Sequence, residues 1–290
     1  MIEVKNLTYI FPDQTVGIHP TTFTLPSGSR TLLIGANGAG KSTILKVLAG
    51  KTLAKAGSVF INGNDPFRDG NGDITYLGTE WAGNPIVRHD IPVVLLLSSI
   101  GGDTFPERRD LLVDILDIDL RWHMHAVSDG ERRRVQLAMG LMRPWTTLLL
   151  DEVTVDLDVL VRARLLEFLK NETETRACTI VYATHIFDGL SDWPTHLAHM
   201  HMGKVVSVES HDLETALGDT PNDNGKRLRT NGYLLELALK WLRADLEERG
   251  ARQKKPKWED IEKDMLEHAP LERNSEDGFA KYFRASRARD

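Results

Sequence analysis

The 290-residue sequence predicts an α/β protein in which helices cover a sheet with several buried parallel strands. Three observations support this fold class. A glycine-rich loop at residues 35–43 stands between an apolar strand pattern and a helical pattern. Two continuous apolar runs, at residues 147–150 and 178–183, are typical of strands that are buried on both faces. Between those two runs, residues 157–170 show helical periodicity.

The composition is that of a globular protein, with 41% hydrophobic and 27% charged residues. A net charge of −6 gives no electrostatic footprint for nucleic acid. The single cysteine, Cys178, rules out an internal disulfide, and its apolar neighbours favour an inert buried thiol. No apolar stretch reaches the ~18–20 residues of a membrane span, and the first residues lack a signal-peptide pattern. We therefore expect a soluble intracellular protein with no direct membrane insertion.

The residues before the glycine-rich loop are typical of β structure. Residues 2–7 form a first short strand pattern, residues 22–25 alternate into a second, and residues 26–28 form a turn. Tyr9 and Phe11 alternate, so one face of that edge carries both rings. Either ring could pack within the strand layer or stack on a base bound at the next loop.

Residues 35–43 fit the phosphate-binding pattern G-x-x-x-x-G-K-[ST] without a mismatch. The glycines allow backbone N–H groups to crowd around phosphate oxygens, and the dipole of the following helix adds partial positive charge. Lys41 is expected to reach the β- and γ-phosphates, and the Ser42 hydroxyl is expected to bind Mg²⁺. The predicted nucleotide-binding residues are Gly35, Asn37, Gly38, Ala39, Gly40, Lys41, Ser42 and Thr43.

The next stretch contains two strand patterns, at residues 58–63 and 73–78, and a helical pattern over residues 92–122. His123 and His125 follow at i, i+2, a spacing that could bind a metal ion on a strand. The sequence offers no third ligand or cysteine beside them, which favours surface or packing histidines.

Ser128 is a good N-cap, and Glu131 three residues later completes a capping-box pattern at the start of a helix that runs to Pro144. The arginines at residues 132–134 could contact nucleic acid. A solvated helix face, or pairs with acidic neighbours, is favoured because the chain is negative overall.

The apolar run at residues 147–150 ends in two carboxylates. Residues at the carboxyl end of a buried parallel strand lie where open α/β sheets bind ligands. We expect Asp151 to hold Mg²⁺, and Glu152 to take a proton from an attacking water. His185 follows the strand pattern at residues 178–183, at the same edge, where a γ-phosphate contact is favoured over a histidine that only caps a strand.

The last third of the chain begins with a predicted hairpin at residues 196–208, in which packing roles are favoured for His199 and His201 over metal binding. A linker composition follows the domain, which ends near residue 218. Residues 233–246 carry an apolar helical stripe that should dock on a globular surface. A second, acidic helix is predicted at residues 258–266, followed by a loose tail. The stripe consists of Leu234, Leu235, Ala238, Trp241 and Leu242.

These motifs resemble the nucleotide-binding domain of ATP-binding-cassette (ABC) ATPases over about residues 1–215, in the family order. Kinases and GTPases share the P-loop but lack the signature motif. Residues 35–43 resemble Walker A, 148–152 resemble Walker B, 127–131 (VSDGE) resemble the signature, 154–158 with Asp158 resemble the D-loop, and His185 resembles the switch histidine.

The resemblance implies the ABC ATPase fold, which has a P-loop core sheet, an antiparallel β subdomain and a small helical subdomain, here near residues 90–143. The implied ATPase domain covers residues 1–218, with a linker at 219–229 and a helical C-terminal extension at 230–290. ATP and Mg²⁺ are the implied cofactors, and Phe11 falls where the family stacks adenine. A head-to-tail homodimer is also implied, in which the signature acts on the ATP of the other chain through Ser128, Asp129, Gly130 and Glu131.

Two departures from the family matter. Thr79 takes the place of the Q-loop glutamine, so Thr79 or Glu80 is the remaining candidate for a further Mg²⁺ contact, and Val153 replaces the usual proline. Several long runs of residues resemble the fungal ABC ATPases associated with the CCR–NOT complex and the plant non-intrinsic ABC proteins. Among them are residues 76–81, 133–141, 148–159 and 182–190.

This closer resemblance implies an ATPase that regulates a protein assembly in gene expression, in the cytoplasm or nucleus. Two other functions stay open. One is the ATPase subunit of a transporter whose membrane part is another chain, against which the missing glutamine argues. The other is an ATP-binding module that barely hydrolyses, against which the intact Lys41, Asp151, Glu152 and His185 argue.

Overall fold

Two β-sheets carry the fold of the computed structural model, which describes residues 1–70, 73–78, 89–211 and 232–250. The smaller sheet is antiparallel and contains three strands in the order β2-β1-β4. Its strands are β1 (Ile2–Ile10), β2 (Val16–Leu25) and β4 (Ala56–Ile61).

The larger sheet has six strands in the order β5-β6-β7-β3-β8-β9. The first five are parallel to one another, and β9 pairs with β8 in the antiparallel sense. This arrangement confirms the predicted α/β class and the hairpin at residues 196–208. The strands are β3 (Arg30–Ile34), β5 (Ile74–Leu77), β6 (Thr147–Asp151), β7 (Thr179–Ala183), β8 (His196–His201) and β9 (Lys204–Ser210).

The central strands are buried on both faces, as their continuous apolar sequences predict. Every residue of β3, β6 and β7 is buried. Successive side chains of a strand point to opposite faces, so Leu148 and Leu150 join one apolar cluster while Leu149 joins the other. The larger sheet therefore lies between two apolar clusters, which join it to the surrounding helices and to the antiparallel sheet.

Six helices accompany the sheets in the described part of the chain. The helix α1 follows β3 directly, α5 connects β6 to β7, and α2 to α4 are inserted between β5 and β6. Their bounds are α1 Lys41–Leu48, α2 Val93–Leu97, α3 Pro106–Ile115, α4 Asp129–Leu141, α5 Val159–Thr175 and α6 Gly232–Arg249.

The predicted helical pattern over residues 92–122 is interrupted in the structure. After α2 the chain makes a π-helical turn, Ser98–Gly102, in which Gly101 has a left-handed φ of 111°. Glycine adopts this conformation without the steric cost that a side chain would bring. Pro106 then opens α3, where its missing N–H leaves no helical hydrogen bond unmade. Residues 116–128 form turns rather than helix.

The helix α6 packs part of its predicted apolar stripe into the larger core cluster. Leu234 and Ala238 are fully buried there, whereas Leu235 is 45% exposed. The residues Met1–Asp245 form one compact unit, and a second unit begins at Leu246. The predicted linker, the second helix at 258–266 and the tail lie outside the described residues.

A buried carboxylate joins α6 to the hairpin strand β8. Asp245 lies 3.0 Å from His199 Nε2 and 3.2 Å from His201 Nδ1, and all three side chains are buried. The ring of His199 also stacks on Trp241 at a centroid distance of 4.7 Å. Both histidines therefore have the packing role that the sequence favours, with a partner far along the chain.

Cys178 is buried against the backbone of α5, and its thiol lies 3.2 Å from the Glu172 carbonyl oxygen. Burial raises the pKa of this thiol to about 11. The thiol is therefore protonated at neutral pH, which confirms the predicted inert cysteine.

Replacing Asp245 with alanine should destabilise the protein by about 1–3 kcal/mol, because two buried imidazoles would lose their carboxylate partner. Urea denaturation of the full chain measures this loss. Glu236→Ala is the matched control, since it removes an exposed carboxylate from the same helix. Equal effects of the two substitutions would contradict the role given to Asp245.

Candidate functional site

The carboxyl ends of three adjacent parallel strands, β6, β7 and β3, meet at one edge of the larger sheet. The glycine-rich loop follows β3, the pair Asp151 and Glu152 closes β6, and His185 follows β7. These residues surround a cavity of about 500 Å³. Its lining residues are Phe11, Val16, Gly17, Asn37, Gly38, Gly40, Lys41, Ser42, Thr43, Asp151, Glu152 and His185.

The glycine-rich loop takes a backbone path that requires glycine at several positions. Gly38 and Gly40 have left-handed φ values of 84° and 104°, and Gly40 is the N-cap of α1. A Cβ at Gly35 would lie 2.2 Å from the carbonyl oxygen of Met200. The loop therefore lies flat against β8 and directs the helix N-terminus into the cavity, an arrangement suited to an anion.

Lys41 is buried at the base of this loop. Its ammonium group donates hydrogen bonds to the carbonyl oxygens of Gly35 and Ala36, at 2.7 Å and 3.1 Å. Burial lowers the pKa of Lys41, while the charges of Glu152 and Asp151 act in the opposite direction. The ammonium is thus fixed inside the loop, next to the place where a phosphate group would sit.

The two carboxylates at the end of β6 have different environments. Asp151 is only 4% exposed and accepts a hydrogen bond from the Tyr76 hydroxyl at 3.2 Å. Glu152 has a left-handed φ of 52°, which is unusual for a residue with a side chain. Its amide donates to the Ala183 carbonyl at 2.9 Å. Strain of this kind concentrates at functional sites, and here it accompanies the contact of the Glu152 carboxylate with His185.

His185 contacts both Glu152 and Lys41. Its Nε2 atom lies 3.2 Å from Glu152 Oε1 and 3.4 Å from Lys41 Nζ. Burial first, and then the positive charge of Lys41, lower the pKa of His185 from its ordinary value of 6.5. The imidazole is therefore neutral at pH 7 and can donate one hydrogen bond and accept another.

The donor set at the cavity fits a magnesium ion. Ser42 and Asp151 both line the cavity, and both offer oxygen ligands. Mg²⁺ prefers oxygen donors and takes few of them from protein, with the rest supplied by phosphate and water. The other predicted metal contacts, Thr79 and Glu80, lie outside the described residues.

Of the two aromatic candidates for stacking on a base, Phe11 lines the cavity and Tyr9 packs against the Phe11 ring. The rings of Tyr9 and Phe11 meet edge to face at a centroid distance of 5.0 Å. The strand β1 ends at Ile10, so Phe11 lies in the following turn, where its amide donates to the Thr15 carbonyl. Gly17 packs directly against the Phe11 ring and leaves no room for a side chain, because a Cβ at residue 17 would lie 2.6 Å from that ring.

The predicted capping box at the start of α4 is confirmed. The hydroxyl oxygen of Ser128 accepts a hydrogen bond from the Glu131 amide. In return, the Glu131 carboxylate accepts hydrogen bonds from the Ser128 amide at 2.7 Å and from the Ser128 hydroxyl at 2.8 Å. Ser128 and Asp129 are exposed, while Gly130 lies close to the Asp156 carbonyl. None of residues 128–131 lines the cavity within the described chain.

Asp158 is the N-cap of α5. It accepts hydrogen bonds from the amides of Leu160 and Val161, both at 3.0 Å, and from Arg134 at 2.6 Å. Hydrogen bonding, from the Val161 amide foremost, lowers the pKa of its carboxyl. The D-loop candidate is therefore tied to α4 through an arginine of the helix that Ser128 caps.

Sequence reasoning missed Arg133. The sequence favours a solvated or acid-paired role for all three arginines, and Arg132 and Arg134 do pair with aspartates. Arg132 is buried as well as paired, and Arg133 is buried at 5% exposed. Its guanidinium donates to the carbonyl oxygens of Gly78, Val153 and Glu152, at 2.8 Å, 3.2 Å and 3.4 Å.

This buried cation ties α4 to the ends of β5 and β6. Gln136, one turn along α4, adds a hydrogen bond to the same Gly78 carbonyl at 3.1 Å. No local pattern in the sequence separates Arg133 from the arginines on either side of it.

Comparisons with known proteins identify relatives along most of the chain. Residues 18–155 match the family model described as "ABC transporter". CCR4-associated factor 16 of Saccharomyces cerevisiae is 49% identical over 273 residues, which cover 84% of this chain and 94% of that protein. ABC transporter I family member 21 of Arabidopsis thaliana is 43% identical, over 88% of this chain and 90% of its own length.

Solved structures with a similar fold include a dimeric ATP-binding cassette in a post-hydrolysis state bound to ADP and phosphate. It has a TM-score of 0.61 and 19% identity, and the match covers 72% of this chain and 98% of that one. The ATP-binding subunit of an ABC transporter has a TM-score of 0.64 and 22% identity, over 83% of this chain and 99% of its own. These likenesses confirm the predicted ABC ATPase fold.

Replacing Arg133 with methionine should lower the free energy of unfolding by about 3 kcal/mol, because it leaves buried carbonyl groups without a donor. Urea denaturation measures the loss. Arg164→Met is the matched control, since Arg164 is an exposed arginine on α5. If the two variants were equally stable, Arg133 would not have the structural role described above.

Proposed function

Because the chain belongs to the family of ATP-binding-cassette (ABC) ATPases and hydrolyses ATP, we propose that it works as a nucleotide-driven clamp made of two copies of itself. The observation that carries this proposal is the arrangement of the two halves of the site. Lys41, Asp151, Glu152 and His185 converge on one cavity. Ser128 and Asp129 of the signature are exposed outside that cavity, where a second molecule could reach them.

In the proposed binding mode, the P-loop backbone and Lys41 hold the β- and γ-phosphates. Phe11 stacks on the adenine at the open side of the cavity, supported by Tyr9. Ser42 and Asp151 hold Mg²⁺, which when bound neutralises charge on the phosphate oxygens. The stacking ring and the phosphate-binding loop line the same cavity.

Glu152 is the proposed base for the water that attacks the γ-phosphate. Its contact with neutral His185 orients the carboxylate, and the left-handed backbone at Glu152 aims it into the cavity. His185 in turn is placed to donate a hydrogen bond to the γ-phosphate. Lys41 also contacts that imidazole and adds a fixed positive charge beside it.

The second copy of the chain would supply Ser128 and the N-terminus of its α4 to the γ-phosphate. A helix of 13 residues presents a positive dipole end there, and ATP would hold the two copies together until hydrolysis removes the contact. A cassette of similar fold is dimeric with ADP and phosphate bound.

Acidic residues in the signature of this chain oppose closure of the proposed dimer. The Ser128 amide and hydroxyl both donate to Glu131, and these are donors that a γ-phosphate would need. Hydrogen bonds from Ser128 lower the pKa of Glu131, so the carboxylate is ionised at neutral pH. Asp129 adds a second negative charge on the first turn. ATP must therefore displace an internal anion before the clamp closes.

For the biological role we propose regulation of a protein assembly in gene expression, in the cytoplasm or nucleus. Support comes from the relative named CCR4-associated factor 16, which matches 84% of this chain at 49% identity. The alternative is an ATPase subunit of a multi-chain transporter, for which the Arabidopsis names argue. No helix in the described ranges is both long and apolar enough to cross a membrane.

A pull-down separates these two roles. Glu152→Gln protein, held in its ATP-bound form, is crosslinked in cell extract with soluble and membrane fractions kept apart, and partners are identified by mass spectrometry. Gene-regulatory subunits in the soluble fraction would support the proposed role. A multi-span membrane protein as the crosslinked partner would favour the transporter role.

Glu152→Gln should lower the ATP turnover number by about 10²–10⁴-fold, because it removes the base while keeping the shape of the side chain. Light scattering should then show a stable dimer with Mg-ATP and a monomer without it. Glu107→Gln, an exposed change in the first turn of α3, serves as the control. A Glu152→Gln protein that stays monomeric with ATP would refute the clamp.

Glu131→Gln should make dimer formation easier, because it removes a negative charge from the helix end that meets the phosphate. A charge at a helix N-terminus is worth about 0.3–1 kcal/mol, so the ATP concentration for half-maximal dimerisation should fall by up to about fivefold. The measurement is made in the Glu152→Gln background against Glu107→Gln. A rise in the required ATP concentration would show that Glu131 assists closure.

A further inference from the structure

Three exposed side chains outside the ATP cavity point their ligand atoms at one another. They are Asp90, His123 and His125, whose donor atoms all lie within 4.8 Å of each other. The sequence pattern disfavours a metal role for the two histidines because it offers no third ligand nearby. The fold supplies one, since Asp90 comes from a segment 33 residues earlier.

The backbone holds the two segments together independently of these side chains. Pro92 and His123 form an isolated antiparallel bridge. On either side of it, the Val93 amide donates to the Trp122 carbonyl and the Met124 amide donates to the Ile91 carbonyl, both at 2.9 Å. After the bridge the chain turns, and the Ala126 amide donates to the His123 carbonyl at 2.9 Å. The turn brings the His125 imidazole to Asp90 beside that of His123.

The donor atoms are arranged as ligands of a single centre. Nδ1 of His123 and Nδ1 of His125 lie 2.5 Å and 3.0 Å from the same Asp90 oxygen. The two rings are splayed at 83° with centroids 6.0 Å apart, so they approach that oxygen from different directions. Ligands at about 2.0–2.1 Å from a tetrahedral ion lie roughly 3.3 Å apart, a spacing that small side-chain rotations reach from here.

We propose that Asp90, His123 and His125 bind a divalent transition-metal ion, with Zn²⁺ as the best match. Two imidazoles and one carboxylate form a ligand set that favours zinc, nickel or copper over magnesium or calcium. All three side chains are exposed, so water completes the coordination.

The site has a structural consequence for the segment before α4. It would clamp residues 123–125 to the chain that leads into α2, on top of the backbone bridge that already joins them. Zinc should therefore stabilise the folded protein, since it binds the native arrangement of two segments that separate on unfolding.

Calorimetric titration of the full chain with Zn²⁺ tests the proposal. ATP is left out, and excess Mg²⁺ is present to fill oxygen-ligand sites such as Ser42 and Asp151. The wild-type protein should bind one zinc ion at this site. His123→Ala, His125→Ala and Asp90→Asn should each weaken that binding by more than about tenfold. His89→Ala is the matched control, an exposed histidine beside Asp90 that does not belong to the cluster.

Two further measurements distinguish zinc bound at this cluster from zinc adsorbed elsewhere on the surface. Thermal unfolding with and without Zn²⁺ should show a higher Tm for the wild type and for His89→Ala, and no shift for His125→Ala. Cobalt(II) should give visible absorption typical of nitrogen and oxygen ligands, which His125→Ala abolishes. Equal zinc affinity in the wild type and a His123→Ala/His125→Ala double variant would overturn the proposal, and so would a Tm shift that survives in that variant.

Discussion

The register of the three central parallel strands is the constraint on which this molecule depends. Asp151 pairs with Ala183 across β6 and β7, and Ala183 pairs with Leu33 across β7 and β3. The strands therefore end level with one another, and the loops that follow them meet. Because both faces of these strands are buried, a slip by one residue would exchange every side chain between the two cores. Burial of Leu148, Leu149 and their neighbours thus fixes where the side chains of the P-loop, of Asp151 and Glu152, and of His185 meet.

Much of the fold and the site could be predicted from sequence because the signals are local. The P-loop, the capping box of Ser128 and Glu131, and the buried strands each occupy fewer than about ten consecutive residues, and each pattern has a direct physical cause. Adjacent parallel strands then bring their carboxyl ends together, which is why Asp151, Glu152 and His185 could be assigned to one edge. The cavity gathers those residues.

The features that sequence did not predict are pairings across long stretches of chain. Arg133 finds its carbonyl partners just after β5 and β6, Asp245 reaches two histidines of β8, and Asp90 meets His123 and His125. Nothing in the local pattern distinguishes these side chains from ordinary surface charges. Their partners are selected by the packing of α2 to α4 and α6, and that packing depends on the whole hydrophobic core. The interruption at Gly101 is different, because Gly101, Gly102 and Pro106 are local signals for a break in a helix.

The left-handed backbone at Glu152 sets a conflict between chemistry and stability. Glycine, or asparagine, adopts that conformation at lower cost than glutamate does. Under the role proposed for Glu152, the change to glycine or asparagine that would remove the base would therefore also relieve the strained backbone. Glutamate at this position would then be kept by the chemistry of the site and not by the fold.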